Sequence, residues 1–362
     1  MPAITPDHLR RYAIARSLFP PTTLMRAIGK LGFIQADPIR APARAQDLTL
    51  RHRVKNYRAG DLERRYPTLA LEEGHFVNYG FLLRADYLRM HPRVAQRLWD
   101  AATKRRAQAL LAFIRERGTA HPREIDARFA HGKATNYWGG SSNATTQLLA
   151  GMHYRGLLRV VRRENGIRVY ATQDPTRAPR DVTARHAQLD ALIDLIVRKY
   201  APLPAASLGQ LVNLLRGGTP QWADELKPAL LRAKQRLAHA RIDGGDWYWP
   251  ARENPASRRH ALDDQVRLLS PFDPLVWDRR RFEVFWGWAY RFEAYTPAPK
   301  RKFGYYALPL LWRDQVIGWG NVIRKGDHLD CQFGFLNQRP RDAGFKRALD
   351  AELTRLRAFL VL

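Results

Sequence analysis

The chain has 362 residues, enough for two to four modules with a sizeable core, and its 45% hydrophobic content is that of a globular protein. Lys and Arg total 61 against 34 Asp and Glu, a formal charge of +27 that favours polyanionic partners. Cys331 is the single cysteine, which excludes intrachain disulfides and cysteine-based zinc sites, and no apolar run reaches the length of a membrane span.

The N-terminus, Met1-Pro2-Ala3-Ile4-Thr5-Pro6, lacks a signal-peptide pattern, so a cytoplasmic, nucleoid-associated protein is expected. Thr5-Pro6 reads as a helix cap followed by proline at the first helical position. A helix should run to about residue 19, where Pro20-Pro21 breaks it. A second should run from about 22 to 30, with Gly32 as its C-terminal cap.

The chain then enters Phe33-Ile34-Gln35-Ala36-Asp37-Pro38. Pro38 biases Asp37 towards extended geometry, in which alternate residues face the same way. Gln35 and Asp37 would then share a face with Phe33. A carboxylate beside an amide can hold and activate one water. The same residues also suit a strand end with two solvated polar side chains.

Residues 39–65 are densely basic, with Arg40, Arg44, Arg51, Arg53 and Lys55 near the motif. They read as a phosphate-binding rim or as a solvated helix surface. Glu73 and His75 follow, of types that pair as acid and base, although such neighbours are common by chance.

Residues 101–172 read as a winged helix: helices over about 101–117, 119–129 and 144–155, then strands at 157–162 and 167–171. Gly139 to Asn143 should cap the third helix, and Glu164-Asn165-Gly166 should turn the hairpin. Arg162, Arg163 and Arg168 place positive charge on the wing. Residues 173–182 read as a linker. The same order recurs over about 183–250, with a Gly244-Gly245 turn. From about 265 the chain looks β-rich to about 335, forming a small barrel or twisted antiparallel sheet, closed by a helix over about 341–359. The class is therefore α+β, in four parts: 1–100 with the motif, 101–172, 183–250 and 265–362.

Three carboxyl-terminal words complete the pattern. They are Leu269-Ser270-Pro271-Phe272-Asp273-Pro274-Leu275-Val276-Trp277-Asp278-Arg279, then Phe292-Glu293-Ala294-Tyr295-Thr296-Pro297, then Lys300-Arg301 with Gly304-Tyr305-Tyr306-Ala307-Leu308-Pro309. With them, nearly the whole chain resembles the AlkZ/YcaQ family of winged-helix DNA glycosylases. The family's Gln-x-Gln or Gln-x-Asp motif maps onto Gln35-Ala36-Asp37, of the Gln-x-Asp kind. That resemblance implies excision of N7-alkylated purines and unhooking of interstrand crosslinks. It also implies a concave positive channel, with Asp37 activating water and stabilising an oxocarbenium-like sugar while Gln35 positions the water.

A cationic base is already a good leaving group, so no metal or cofactor is required. The partner would be damaged or crosslinked double-stranded DNA, bound by a monomer. The DNA-facing candidates are Arg40, Arg44, Arg51, Arg53, Lys55, Arg162, Arg163, Arg168, Lys300 and Arg301. No catalytic role is carried onto His75. The rivals are a non-enzymatic winged-helix regulator and a binder of structured RNA or nucleoid DNA.

Overall fold

Thr5 caps the first helix as its sequence predicts. Its hydroxyl accepts from the His8 N–H at 3.3 Å, and His8 Nδ1 accepts from the Thr5 N–H at 3.2 Å. This capping box opens helix Pro6–Ser17. The second helix, Leu24–Leu31, ends at Gly32 with φ of 73°. A Cβ at Gly32 would also stand 3.2 Å from Leu195, so glycine serves both the turn and the close approach. The structure, a computed structural model, describes residues 3–96, 98–129, 132–135 and 141–362. Gly139 and Gly140, expected to begin a helix cap, lie outside the described residues. No helix among the described residues is long and apolar enough to cross a membrane.

Contacts divide the chain into two units, each discontinuous in sequence. One holds Met1–Leu62, Ile193–Leu211 and Leu230–Leu362; the other holds Glu63–Leu192 and Val212–Ala229.

In the first unit, strand Phe33–Gln35 is wholly buried and leads out of the two opening helices. A second feature is an open four-stranded antiparallel sheet of Val266–Leu268, Leu308–Trp312, Gln315–Lys325 and His328–Phe335, in that order. Of the two forms expected, barrel or sheet, the sheet is present, and no closed barrel forms among the described residues. The edge at Val266–Leu268 shows why. The Leu268 N–H donates to Glu352 Oε1 at 2.9 Å, and the Leu268 carbonyl accepts from Arg51 and His52 at 3.0 Å each. Arg355 donates to the Val266 carbonyl at 3.0 Å. Side chains satisfy the edge, so no closing strand is needed. Glu352 and Arg355 belong to the closing helix, Ala343–Leu360, whose Phe345, Leu349 and Leu356 are buried as their spacing predicts.

Two helices replace part of the expected β-rich stretch. Asp273 caps Pro274–Trp277 by accepting from the Leu275 N–H at 3.1 Å, and Asp278 caps Arg279–Trp286 by accepting from the Arg281 N–H at 3.2 Å. The two Asp caps, the first followed by Pro, start helices in a stretch that the sequence pattern includes only in the broad β-rich span.

In the second unit, hairpin Leu71–His75 with Tyr79–Leu83 precedes helices Ala101–Arg117, Pro122–Phe129 and Ala144–Tyr154. Asn143 caps the last of these by accepting from the Thr146 N–H at 3.0 Å. Strands Leu158–Glu164 and Ile167–Thr172 follow as an antiparallel pair. Asn165 and Gly166, at φ of 52° and 84°, make their turn. Further along the chain, in a stretch divided between the two units, the helix–helix–helix–hairpin order recurs in Val182–Tyr200, Ala205–Gly218, Leu226–Arg236, and the pair Ala238–Ile242 with Gly245–Trp249. The second hairpin turns on Asp243-Gly244, one residue earlier than expected, both at positive φ.

Candidate active site

Strand Phe33–Gln35 places Gln35 at the end of a buried segment, where it is 6% exposed. The strand is anchored from below: buried Lys199 donates to the Phe33 carbonyl and lies 5.0 Å from the Phe33 ring centroid. Beyond Gln35 the regular strand stops, so alternation places Gln35 but not Asp37. Asp37 is fixed by its own turn. Its Oδ1 accepts from the Ile39 N–H at 2.9 Å across Pro38, and its N–H donates to buried Gln46 Oε1 at 3.3 Å.

The side chain of Gln35 is oriented by a residue 242 positions away: Trp277 Nε1–H donates to Gln35 Oε1 at 2.7 Å. Trp277 packs on Tyr200, with ring centroids 5.3 Å apart. Its position inside the first carboxyl-terminal word is the signal that could have found it, since an indole in a largely apolar run brings a donor that needs a partner.

Burial raises the pKa of Asp37, and the Ile39 N–H offsets part of that rise. The carboxylate is therefore a stronger base than a solvated aspartate. Two tyrosines feel its charge. Burial and then Asp37 push the hydroxyls of Tyr295 and Tyr306 upward. Tyr306 is buried, whereas Tyr295 is 79% exposed and presents a free aromatic face. Phe292 links them, with its ring 6.1 Å from Tyr295 and 5.1 Å from Tyr306. An amide of fixed orientation and a carboxylate of raised basicity are groups able to handle water, and an exposed aromatic ring can meet a planar or cationic group.

The basic candidates divide. Arg40, Lys55 and Lys300 are exposed, and Arg44 is half-buried. Arg301 is partly exposed; it donates to the Thr296 carbonyl at 2.8 Å and lies 5.1 Å from the Tyr305 ring centroid. Arg51 and Arg53 depart from the rim expected of them. Arg51 is bound by Glu352 with only 3% of its side chain exposed. Arg53 is fully buried and forks onto both oxygens of Asp273 at 2.8 and 3.0 Å. A phosphate cannot reach it, because every direction of its guanidinium is inside the protein.

On the second unit's hairpin, Arg162 pairs with exposed Glu164 at 2.7 Å and keeps 42% of its side chain in solvent. Arg163 and Arg168 point inward instead, to the buried carboxylate of Glu73 at 2.6 and 3.2 Å. Glu73 thus anchors the hairpin, while His75 sets its Nδ1 against the Phe76 carbonyl at 3.1 Å.

Comparison with known proteins gives the family and the fold. A match to the family described as DNA glycosylase AlkZ-like spans residues 28–359. The fold is similar to that of the Streptomyces sahachiroi DNA glycosylase AlkZ, with a TM-score of 0.58 at 14% identity, over 98% of this chain and 96% of that one.

Proposed function

We infer, for a chain that belongs to the AlkZ-like DNA glycosylase family, that Asp37 is the base that activates water and Gln35 the group that holds it. The non-enzymatic alternatives fall away, since the chain is a DNA glycosylase. Its substrates are N7-alkylated purines and interstrand crosslinks in duplex DNA.

The supporting observation is the one-sided bonding of Asp37. Oδ1 accepts from Ile39, while among the described residues no protein donor reaches Oδ2. Gln35 complements it. An indole only donates, so the Gln35 atom facing Trp277 is its oxygen, and the amide hydrogens point elsewhere. A water accepting from the Gln35 amide and donating to Asp37 Oδ2 has its lone pair free for the sugar carbon. As the glycosidic bond lengthens, positive charge grows on the sugar, and the Asp37 carboxylate stabilises it. The cationic base leaves without being protonated, so a second acid is not needed. The exposed face of Tyr295 is of the kind that attracts such a cation.

The two helix–helix–helix–hairpin segments are read as winged helices that dock along the duplex. Arg40, Arg44, Lys55, Arg162, Lys300 and Arg301 remain the phosphate-contacting candidates. The protein acts as a monomer in the cytoplasm, on damaged DNA.

The test is release of N7-methylguanine from a methylated duplex. Asp37→Asn should lower single-turnover release by about 10² to 10⁴ and leave duplex affinity within twofold. Loss of affinity in parallel with rate would defeat the catalytic assignment.

A further inference from the structure

The second unit contains a cavity of about 1320 Å³ that no part of the chemistry above uses. Its wall carries Trp99, Arg106, Tyr154, Arg155 and Arg216. All of them belong to the same compact unit.

The cavity is built rather than incidental. Arg93, 4% exposed, donates to the carbonyls of Gly218 at 2.7 Å, Tyr154 at 2.9 Å and His75 at 2.9 Å. One buried guanidinium therefore ties together three segments that furnish the wall. The segments also close on each other without room to spare. Tyr154 donates its hydroxyl to the Gly217 carbonyl at 2.8 Å, and a Cβ on Gly217 would stand 2.5 Å from His75 Cε1.

Charge and chemistry narrow the occupant. Three arginines face one carboxylate, Asp100, which is engaged in capping helix Ala101–Arg117 through the Thr103 N–H at 2.6 Å. An anion is favoured. The aromatic groups are each backed by a cation: Arg155 lies 3.8 Å from the Trp99 ring centroid, and Arg93 lies 4.5 Å from that of Tyr154. Such stacked pairs extend naturally to a planar base, and Asn78 adds an amide able to meet a base edge. The volume exceeds the range of about 300–1,000 Å³ typical of small-molecule pockets. A single free nucleotide would leave most of it empty.

We propose that this cavity grips a few nucleotides of unpaired single-stranded DNA, with phosphates on Arg106 and Arg216 and a base stacked on Trp99. The site is independent of Gln35 and Asp37.

The experiment uses the full chain and a fluorescein-labelled hexathymidylate, followed by anisotropy across a salt series. Trp99→Ala should weaken binding about five- to a hundredfold, and Trp99→Phe should restore most of it. Arg106→Ala and Arg216→Ala should each flatten the salt slope by about 0.7, and Arg216→Lys should recover it. Release of N7-methylguanine from duplex should continue in all of these variants, so failure here is separable from failure of the catalytic reading. Unchanged hexamer affinity in Trp99→Ala and Arg216→Ala would overturn the proposal. So would displacement of the hexamer by thymidine monophosphate or by a short duplex at comparable concentrations. Should Trp99→Ala lower the melting temperature, Arg216→Ala and Trp99→Phe decide alone.

Discussion

Trp277 donates its indole hydrogen to the side-chain oxygen of Gln35 at 2.7 Å, joining a carboxyl-terminal helix to the motif near the N-terminus. The bond fixes which end of the amide faces the protein and which is left for water. Trp277→Phe keeps the ring against Tyr200 and removes only the donor. Release of N7-methylguanine should then fall about tenfold in kcat, as expected when a positioned group loses its orientation, with KM little changed. Stability should drop by about 1 kcal/mol, the usual worth of one hydrogen bond. A rate equal to that of the parent protein would remove Gln35 orientation from the mechanism.

Burial of Asp37 has linked consequences for activity and stability. The base must be ionised to accept a proton, so the rate should rise with pH through the raised pKa of Asp37 and then level. Stability runs the other way. A carboxyl whose folded pKa lies above its unfolded value favours folding while protonated. That contribution is present below the unfolded value and is lost as pH rises through the folded one. Asp37→Asn should therefore be slightly more stable than the parent at pH 7 and no more stable at pH 3, read by urea denaturation at both. A destabilised Asn variant at pH 7 would argue that the carboxylate is structural.

Arg53 and Asp273 form the deepest ion pair of the first unit, with both side chains fully buried. Arg53 also donates to the Ser17 and Thr49 carbonyls at 2.7 and 2.6 Å. Removing one partner strands the other charge, which costs about 3–5 kcal/mol. Asp273→Asn should show that loss in chemical denaturation, whereas Arg53→Met with Asp273→Leu should lose less than the single change. Duplex affinity should follow folding alone. A variant that stays folded yet binds DNA many times more weakly would return Arg53 to the phosphate rim.

The two outcomes for the arginines show what the sequence can and cannot carry. Periodicity and caps placed the helices of residues 101–172 within a few positions, because those signals are local. The partner of a charged side chain is not local. Arg53 meets Asp273 at a separation of 220 residues, and Arg163 meets Glu73 at 90. Nothing in a run of basic residues distinguishes those that face a buried carboxylate from those that face solvent. Pro38 suggested an extended Asp37 sharing a face with Gln35, but the strand ends at Gln35 and Asp37 turns onto the Ile39 N–H, a local bond that alternation does not register. Trp277 at Gln35 lay beyond that reach, because the contact depends on how distant elements pack. The open sheet edge is similar: the groups that satisfy it come from Arg51, His52, Glu352 and Arg355, on two elements remote in sequence.

Lys199 offers a pH test of the support beneath the motif. Its ammonium is buried under Phe33 and donates to that residue's carbonyl. Burial pulls its pKa down to about 7, with the charge of Asp273 opposing the shift and that of Arg53 adding to it. The unfolded chain binds this proton more tightly than the folded one. Stability should accordingly rise between pH 7 and about 10, by at most about 1.4 kcal/mol per pH unit for one proton. Below pH 7 both states are protonated and the contribution is flat. The neutral amine still donates, so strand Phe33–Gln35 should keep its anchor across the range. Lys199→Met removes the titration. Urea denaturation at pH 7 and pH 9.5 should show a gain for the parent protein that is smaller in the Met variant. An identical pH response in the two proteins would assign the gain to other groups and leave Lys199 charged at both values.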